Sequence, residues 1–399
     1  MVYRAVAIIS APSVVKDSVS GVQSPDWFVG PRPKGLNPVS LTKKAPASLT
    51  VKQEWKECLA VPSSWVVKTD TLEVVSFPLE RTHREISGVE AEEVSTRISE
   101  ALRSLSIEAE YDNKKAKAKC RTCDYACFRI RLYSGSETGQ PVIVELQRRS
   151  GPGISFMQSC RAIFCAAEGR APTLPKTKVP PFIKCPVASM KCLQGLKPEV
   201  DTQAELKIAL NKVMELLSKS QHESNILALE NLRLLTDPIQ TMPSLALRAS
   251  KTIFTGCEAY NIREEMTSLL ESDGVAPGYG RNQIDRLRHL SLLVFSNALS
   301  LTAKDGSLER AIQQEQWFEE FLIPTLMDEV RSARTSPNNA SVASGCLLSL
   351  MSGSAVARGL VREYNGVQVI GEAHKHGVVC HELLANETKR CMKALEALH

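Results

Sequence analysis

Residues 341–373 constrain the fold more than any other stretch. They run Ser-Val-Ala-Ser-Gly-Cys-Leu-Leu-Ser-Leu-Met-Ser-Gly, then Ser-Ala-Val-Ala-Arg-Gly-Leu-Val-Arg-Glu-Tyr-Asn-Gly, then Val-Gln-Val-Ile-Gly-Glu-Ala. The first segment has almost no charged face, which predicts a buried helix. The second segment predicts another helix, and the third opens after Asn365-Gly366, a turn signal. A unit of this kind cannot bury its apolar faces alone, so neighbours of the same kind are expected. Less regular helical units run back to about residue 204 and on to the C-terminus.

The remaining composition sets limits. A chain of 399 residues accommodates two domains and tails. Hydrophobic and charged fractions of 43% and 23% suit a globular chain with a sizeable core. A net charge of +5 is too mild to imply nucleic acid or membrane by itself. The twelve cysteines are scattered, and Cys346, Cys380 and Cys391 sit within apolar patterns. That usage predicts free thiols in the cytoplasm or nucleus. The first fifty residues carry six Lys/Arg against Asp17 and Asp26, a bias that an organelle transit peptide shares. No apolar run reaches the ~18 residues of a membrane-spanning helix.

Taken in order, residues 1–65 are rich in Pro, Ser, Val and Lys and predict a mostly disordered leader. Trp55 and Trp65 are its candidates for docking on the folded part. Residues 71–169 predict a small α+β domain with helices on one face of an antiparallel sheet. Strands are expected at 72–77, 107–111, 127–133 and 142–148, and helices at 89–105 and 156–167. The last two strands form a hairpin around the turn at 134–139. Residues 170–200 hold six prolines and predict a semi-extended linker. Residues 201–399 predict an all-α domain, with a glycine-rich loop at 272–282, a bend at Pro324 and a surface loop at 331–339.

Two internal matches support repetition. Cys346-Leu-Leu-Ser-Leu350 pairs with Cys391-Met-Lys-Ala-Leu395 at an offset of 45, and Asn231–Thr236 pairs with Asn297–Thr302 at 66. The first offset fits one helical repeat; the second needs an insertion. With its short loop, the segment 356–364 and Asn365-Gly-Val-Gln-Val-Ile370, the stretch resembles an armadillo repeat. That resemblance implies a tight turn at Gly366, with Val367 and Ile370 stacked in the core. Asn365 stands where many members carry a second glycine. The resemblance further implies a superhelix that presents a groove to extended peptides or partner proteins.

The α+β segment has a basic side. Over residues 94–170, thirteen Lys/Arg face eight Asp/Glu. Arg129 and Arg131 are two apart and share one strand face, opposite Phe128, Ile130 and Leu132. Lys115, Lys117, Lys119, Arg129, Arg131, Arg148 and Arg149 form the candidate surface for an anionic partner, provided that Arg148 lies on the exposed face. The order of elements resembles the kinase-associated C-terminal domain, which implies binding of anionic phospholipid or masking of a partner domain. Few aromatic residues are placed for base stacking, so nucleic acid is the weaker branch.

Enzyme chemistry finds little support. Cys120, Cys123 and Cys127 offer one zinc knuckle without a second. His374, His376 and His381 cluster near Cys380, but the run His381-Glu-Leu-Leu-Ala385 places alanine where a zinc protease needs its second histidine. Gly151-Pro-Gly153 lacks the third glycine of a dinucleotide loop. The expected function is non-enzymatic protein–protein interaction or scaffolding, with no cofactor. The alternative is an adaptor that binds anionic phospholipid or nucleic acid through the α+β domain.

Overall fold

Strict alternation of apolar and charged residues dictates how the strand Cys127–Ser134 must sit. Phe128, Ile130 and Leu132 turn to one face and are buried, while Arg129 and Arg131 turn to the other. The computed structural model describes residues 65–135, 141–170, 202–219, 221–255, 261–271 and 281–396. Apart from Trp65, the expected leader lies outside these residues. So do the linker apart from Arg170, most of the turn at 134–139 and most of the loop at 272–282.

The sheet comprises β1 (Glu73–Val74), β2 (His83–Ile86), β3 (Glu108–Asp112), β4 (Lys117–Arg121), β5 (Cys127–Ser134) and β6 (Val142–Ser150). Its order is β2-β6-β5-β4-β3, all antiparallel, and β1 adds a short parallel pairing to β5. Two helices, α1 (Ala91–Ser104) and α2 (Gly153–Ala167), pack together over one face. Val94, Ile98, Leu102, Phe156 and Ile163 close that core against the apolar sides of β5 and β6. Trp65 docks as its type suggested. It is fully buried, stacks on Tyr111 with centroids 5.9 Å apart, and its backbone N–H donates to Ser99 Oγ. Strand β2 has no apolar alternation to announce it, because three of its four residues are exposed.

An all-helical, repeat-like region follows: α3 (Thr202–Leu217), α4 (His222–Leu235), α5 (Pro243–Thr255), α6 (Ile262–Glu271) and α7 (Arg281–Asp305). Then come α8 (Leu308–Gln314), α9 (Ile323–Arg331), α10 (Pro337–Gly353), α11 (Ala355–Glu363), α12 (Gly366–Cys380) and α13 (Glu382–Glu396). A π-helical turn, Phe318–Leu322, leads into α9 ahead of Pro324. Proline cannot supply the backbone donor of a regular helix, and the altered turn accommodates that loss.

The helices form groups of three, α5-α6-α7, α8-α9-α10 and α11-α12-α13, after the pair α3-α4. The last helix of each group packs on the last helix of its neighbours, so α4, α7, α10 and α13 lie side by side as a ladder. Both internal sequence matches link successive rungs, α4 with α7 and α10 with α13. The matched cysteines also act alike. Cys346 Sγ donates to Leu292 O on α7, and Cys391 Sγ donates to Ser344 O on α10. Asn297 on α7 donates to Arg233 O at the end of α4.

The turn from α11 to α12 explains the Asn-Gly pair. Asn365 has φ +59°, a left-handed conformation that asparagine tolerates better than most residues. A Cβ on Gly366 would lie 2.5 Å from Val361 O, so the two helices can meet only without a side chain there. Ile370 is buried as expected, but Val367 is 64% exposed and takes no part in the core. It follows Gly366 in the first turn of α12, on the side turned away from the neighbouring helices. Gly366→Ala is expected to destabilise the chain by about 2 kcal/mol in urea unfolding. Gly359→Ala, inside α11 with open space around it, should stabilise by about 0.5–1 kcal/mol. Equal effects of the two substitutions would contradict the close approach.

Residues 331–339 are not the surface loop that their polarity suggested. A 3-10 turn, Ser332–Arg334, leads straight into α10, and Asn338 and Asn339 are buried. Ser336-Pro337 is a helix-start signal, with proline in the first turn where its missing donor costs nothing. The buried asparagines belong to the junction with the sheet, and all described residues belong to one compact unit.

Candidate anion-binding face and the buried junction

The sheet face away from α1 and α2 is built by register. Lys117 lies opposite Arg131, and Lys119 opposite Arg129, on the antiparallel neighbours β4 and β5. All four side chains therefore leave the sheet on the same side. Beyond them, Gln147 pairs with Arg129 and Glu145 with Arg131 on β6. Glu145 is buried, and its carboxylate accepts from Glu80 N, Gln147 Nε2 and Tyr133 OH at 2.7, 2.9 and 3.4 Å. Tyr133 OH accepts in turn from Arg131 Nη1 at 3.3 Å. Lys119 pairs with Glu110 across the strands at 3.0 Å. The Lys117 ammonium is held below the usual lysine range, first by partial loss of solvent and then by Arg129, Lys119 and Arg131 around it. Lys117 is thus the cation on which the like charges of this face press.

The other candidate residues divide. Arg149 is on this open face and donates to Gln147 Oε1 at 2.8 Å. Lys115 stands outside the rows, in the 3-10 turn Asn113–Lys115, where its backbone N–H donates to Asp112 Oδ1. Arg148 is on the opposite side, because it lies opposite Phe128 and continues the buried series Val142, Val144, Leu146. There its Nη1 donates to Gly151 O at 3.0 Å. It borders a shallow cleft of about 690 Å³ with Ile154, Met157 and Arg161. The same alternation that placed Arg129 and Arg131 could have excluded Arg148 from their face.

Arg121 continues the row of basic residues but is spent elsewhere. Its Nε donates to Glu108 Oε2 at 2.6 Å and its Nη1 to Asp285 Oδ2 at 3.2 Å, which ties β3 and β4 to α7. Glu108 Oε1 accepts the backbone N–H of Asn338 at the start of α10. Burial pushes the Glu108 carboxyl up, against the opposing pull of Arg121. Tyr125 takes φ +64° in the β4–β5 turn and reaches α7, where its hydroxyl donates to Asp285 O at 2.7 Å. Its ring packs on His289 with centroids 5.0 Å apart, and His289 Nδ1 donates to Asn339 Oδ1 at 2.9 Å. Gly151 makes this turn possible, since a Cβ there would lie 2.1 Å from Tyr125 O. Ser106 Oγ accepts from Leu383 N, closing the contact at α13.

Comparisons with protein-family models, curated proteins and solved structures return no match to this chain.

The histidine and cysteine candidates have structural employment. His381 precedes α13 and caps it: Leu384 N donates to its Nδ1 at 3.1 Å, so its Nε2 carries the proton and donates to Asn338 Oδ1 at 2.9 Å. Burial, with His376 nearby, holds its pKa down to about 4. His374 Nδ1 lies 3.1 Å from Ala385 O. Cys380 Sγ lies 3.0 Å from His376 Nε2, a spacing that a nucleophile and its base could share. The charges oppose that use. Burial and then Glu108 push the Cys380 thiol up to about 11, while burial and Arg334 push His376 down. The pair therefore rests as thiol and neutral imidazole. Cys120 is buried, Cys123 exposed and Cys127 half-buried. Among the described residues, no group of three or more His, Cys, Asp or Glu is placed to hold a metal ion, and no helix is long and apolar enough to cross a membrane.

Proposed function

We propose that this chain is a non-enzymatic interaction protein in which an armadillo-like helical scaffold carries the binding surface and the sheet is clamped to it. The observation that carries this reading is the ladder of α4, α7, α10 and α13, with equivalent thiol-to-carbonyl contacts at successive rungs. A ladder of neighbouring helices makes a continuous surface that no single helix could offer. Part of one side of it is small and polar. Ser296 on α7 and Glu387 on α13 both come within about 4 Å of where a Cβ on Gly345 of α10 would stand. The thiols fit residence in the cytoplasm or nucleus.

The test uses the full chain. Ser349, one turn beyond Gly345, is half-buried, and Arg390 is exposed one turn beyond Glu387. A Ser349→Arg, Arg390→Glu variant that melts like the wild type should lose most of the protein that the wild type captures from its own cells. Undiminished capture would remove the ladder as the binding surface.

A second reading, an adaptor for anionic partners, is favoured by a different observation. Lys117, Lys119, Arg129 and Arg131 share the open sheet face, and the Lys117 ammonium is held low by partial loss of solvent and by the other three.

A further inference from the structure

We infer that Lys117, Lys119, Arg129 and Arg131 form a recognition site for a phosphomonoester dianion. The inference rests on the reading of the open sheet face as anion-binding and names its ligand. Register sets the geometry. Each arginine stands opposite a lysine, Arg129 to Lys119 and Arg131 to Lys117. Neighbouring strands are about 4.8 Å apart and alternate residues about 6.7 Å apart, so the four Cα atoms outline a rectangle of that size. Side chains rising from its corners stand close enough together to share one compact anionic group.

The counterions nearby are already engaged. Glu110 pairs with Lys119, Asp112 accepts from the Lys115 backbone, Glu145 opposite Arg131 accepts three hydrogen bonds, and Glu73 lies near Arg131. The Nε of Arg131 is buried without an acceptor. A bound dianion offsets the like charges that surround Lys117, and two guanidinium forks match its several oxygens better than a carboxylate's two. A nucleic-acid strand would need exposed rings to stack on. Tyr133 lies buried beneath the edge of Phe77, which leaves Phe77 as the exposed ring beside it.

The experiment titrates the full-length protein with glycerol 3-phosphate and with phosphatidylcholine vesicles doped with phosphatidic acid. Vesicles doped with phosphatidylserine to equal charge, and a single-stranded oligonucleotide, are the phosphodiester comparisons. Binding of either phosphomonoester probe is expected, weakened about tenfold or more by Lys117→Gln or Arg129→Gln and unchanged by Arg148→Gln. Binding in solution assigns a soluble ligand, and binding on vesicles alone assigns a lipid headgroup. If Arg131→Gln does not fold, because it removes the donor to Tyr133, the Lys117 and Arg129 variants still decide. Equal affinity for phosphatidylserine or the oligonucleotide overturns the site while leaving a general anionic face. Absence of binding to every probe overturns both.

Discussion

Glu108→Ala is expected to cost the full chain about 3 kcal/mol, measured by urea unfolding. Removing one partner of a buried ion pair typically costs roughly 3–5 kcal/mol, because the other charge is left without compensation. Glu108 and Arg121 have side chains only 10% and 19% exposed. Asp285 retains one contact to Arg121, which places the effect at the lower end of that range. The substitution also strips the acceptor from Asn338 N in the first turn of α10. Glu110→Ala is the matched comparison. Its pair with Lys119 lies at the surface, with both side chains more than half exposed, so a change within about 0.5 kcal/mol is expected. If the two variants unfold at the same urea concentration, the sheet is not keyed to the helices through Glu108.

Acid should weaken the same junction through His381. Its folded pKa of about 4 lies below the ordinary value of 6.5, so its neutral form is favoured by folding. The stability it contributes is fully present above pH 6.5 and is lost as pH falls from there through about 4. By linkage the loss is about 2 kcal/mol at pH 5 and about 3 kcal/mol once protonation is complete. The physical cause is plain: a proton on Nδ1 displaces the Leu384 N–H that it caps and puts a positive charge at a helix N-terminus. His289 acts in the same direction, held low by burial. Glu108 and Glu329 act oppositely, since burial raises both and protonation relieves them as pH falls. His381→Asn isolates the term, because asparagine still caps a helix but does not titrate. Its loss of stability between pH 7.5 and 5 should be about 2 kcal/mol smaller than that of the wild type. Identical losses would show that His381 does not titrate with folding.

Local patterns were legible and long-range polar partnerships were not. Alternation in 127–133 revealed β5 and both of its faces, and the spacing in 89–105 revealed α1. The match of Cys346 to Cys391 marked adjacent rungs, and so did the match of Asn231 to Asn297. Its offset of 66 spans the glycine-rich stretch that falls largely between α6 and α7. By contrast, Asn338 and Asn339 read as loop residues, because polarity in a sequence does not tell water from a buried partner. Those partners are His381, His289 and Glu108, and 230 positions separate Glu108 from Asn338. No periodicity reports a contact at that distance. Arg148 was legible but misread: its even spacing from Val142 and Val144 already put it on the core side. Tyr125 carried no signal at all, since its left-handed turn depends on Gly151, which is remote in sequence until the hairpin closes.

The helical ladder, not the sheet, is the surface proposed here to carry the partner. One measurement tests it most directly: quantitative capture of the partner by three full-length proteins of equal stability. These are the wild type, the ladder variant Ser349→Arg with Arg390→Glu, and the sheet variant Lys117→Glu with Arg129→Glu. The ladder variant is expected to lose the captured protein and the sheet variant to retain it. Retention by the ladder variant, with loss in the sheet variant, would contradict that expectation.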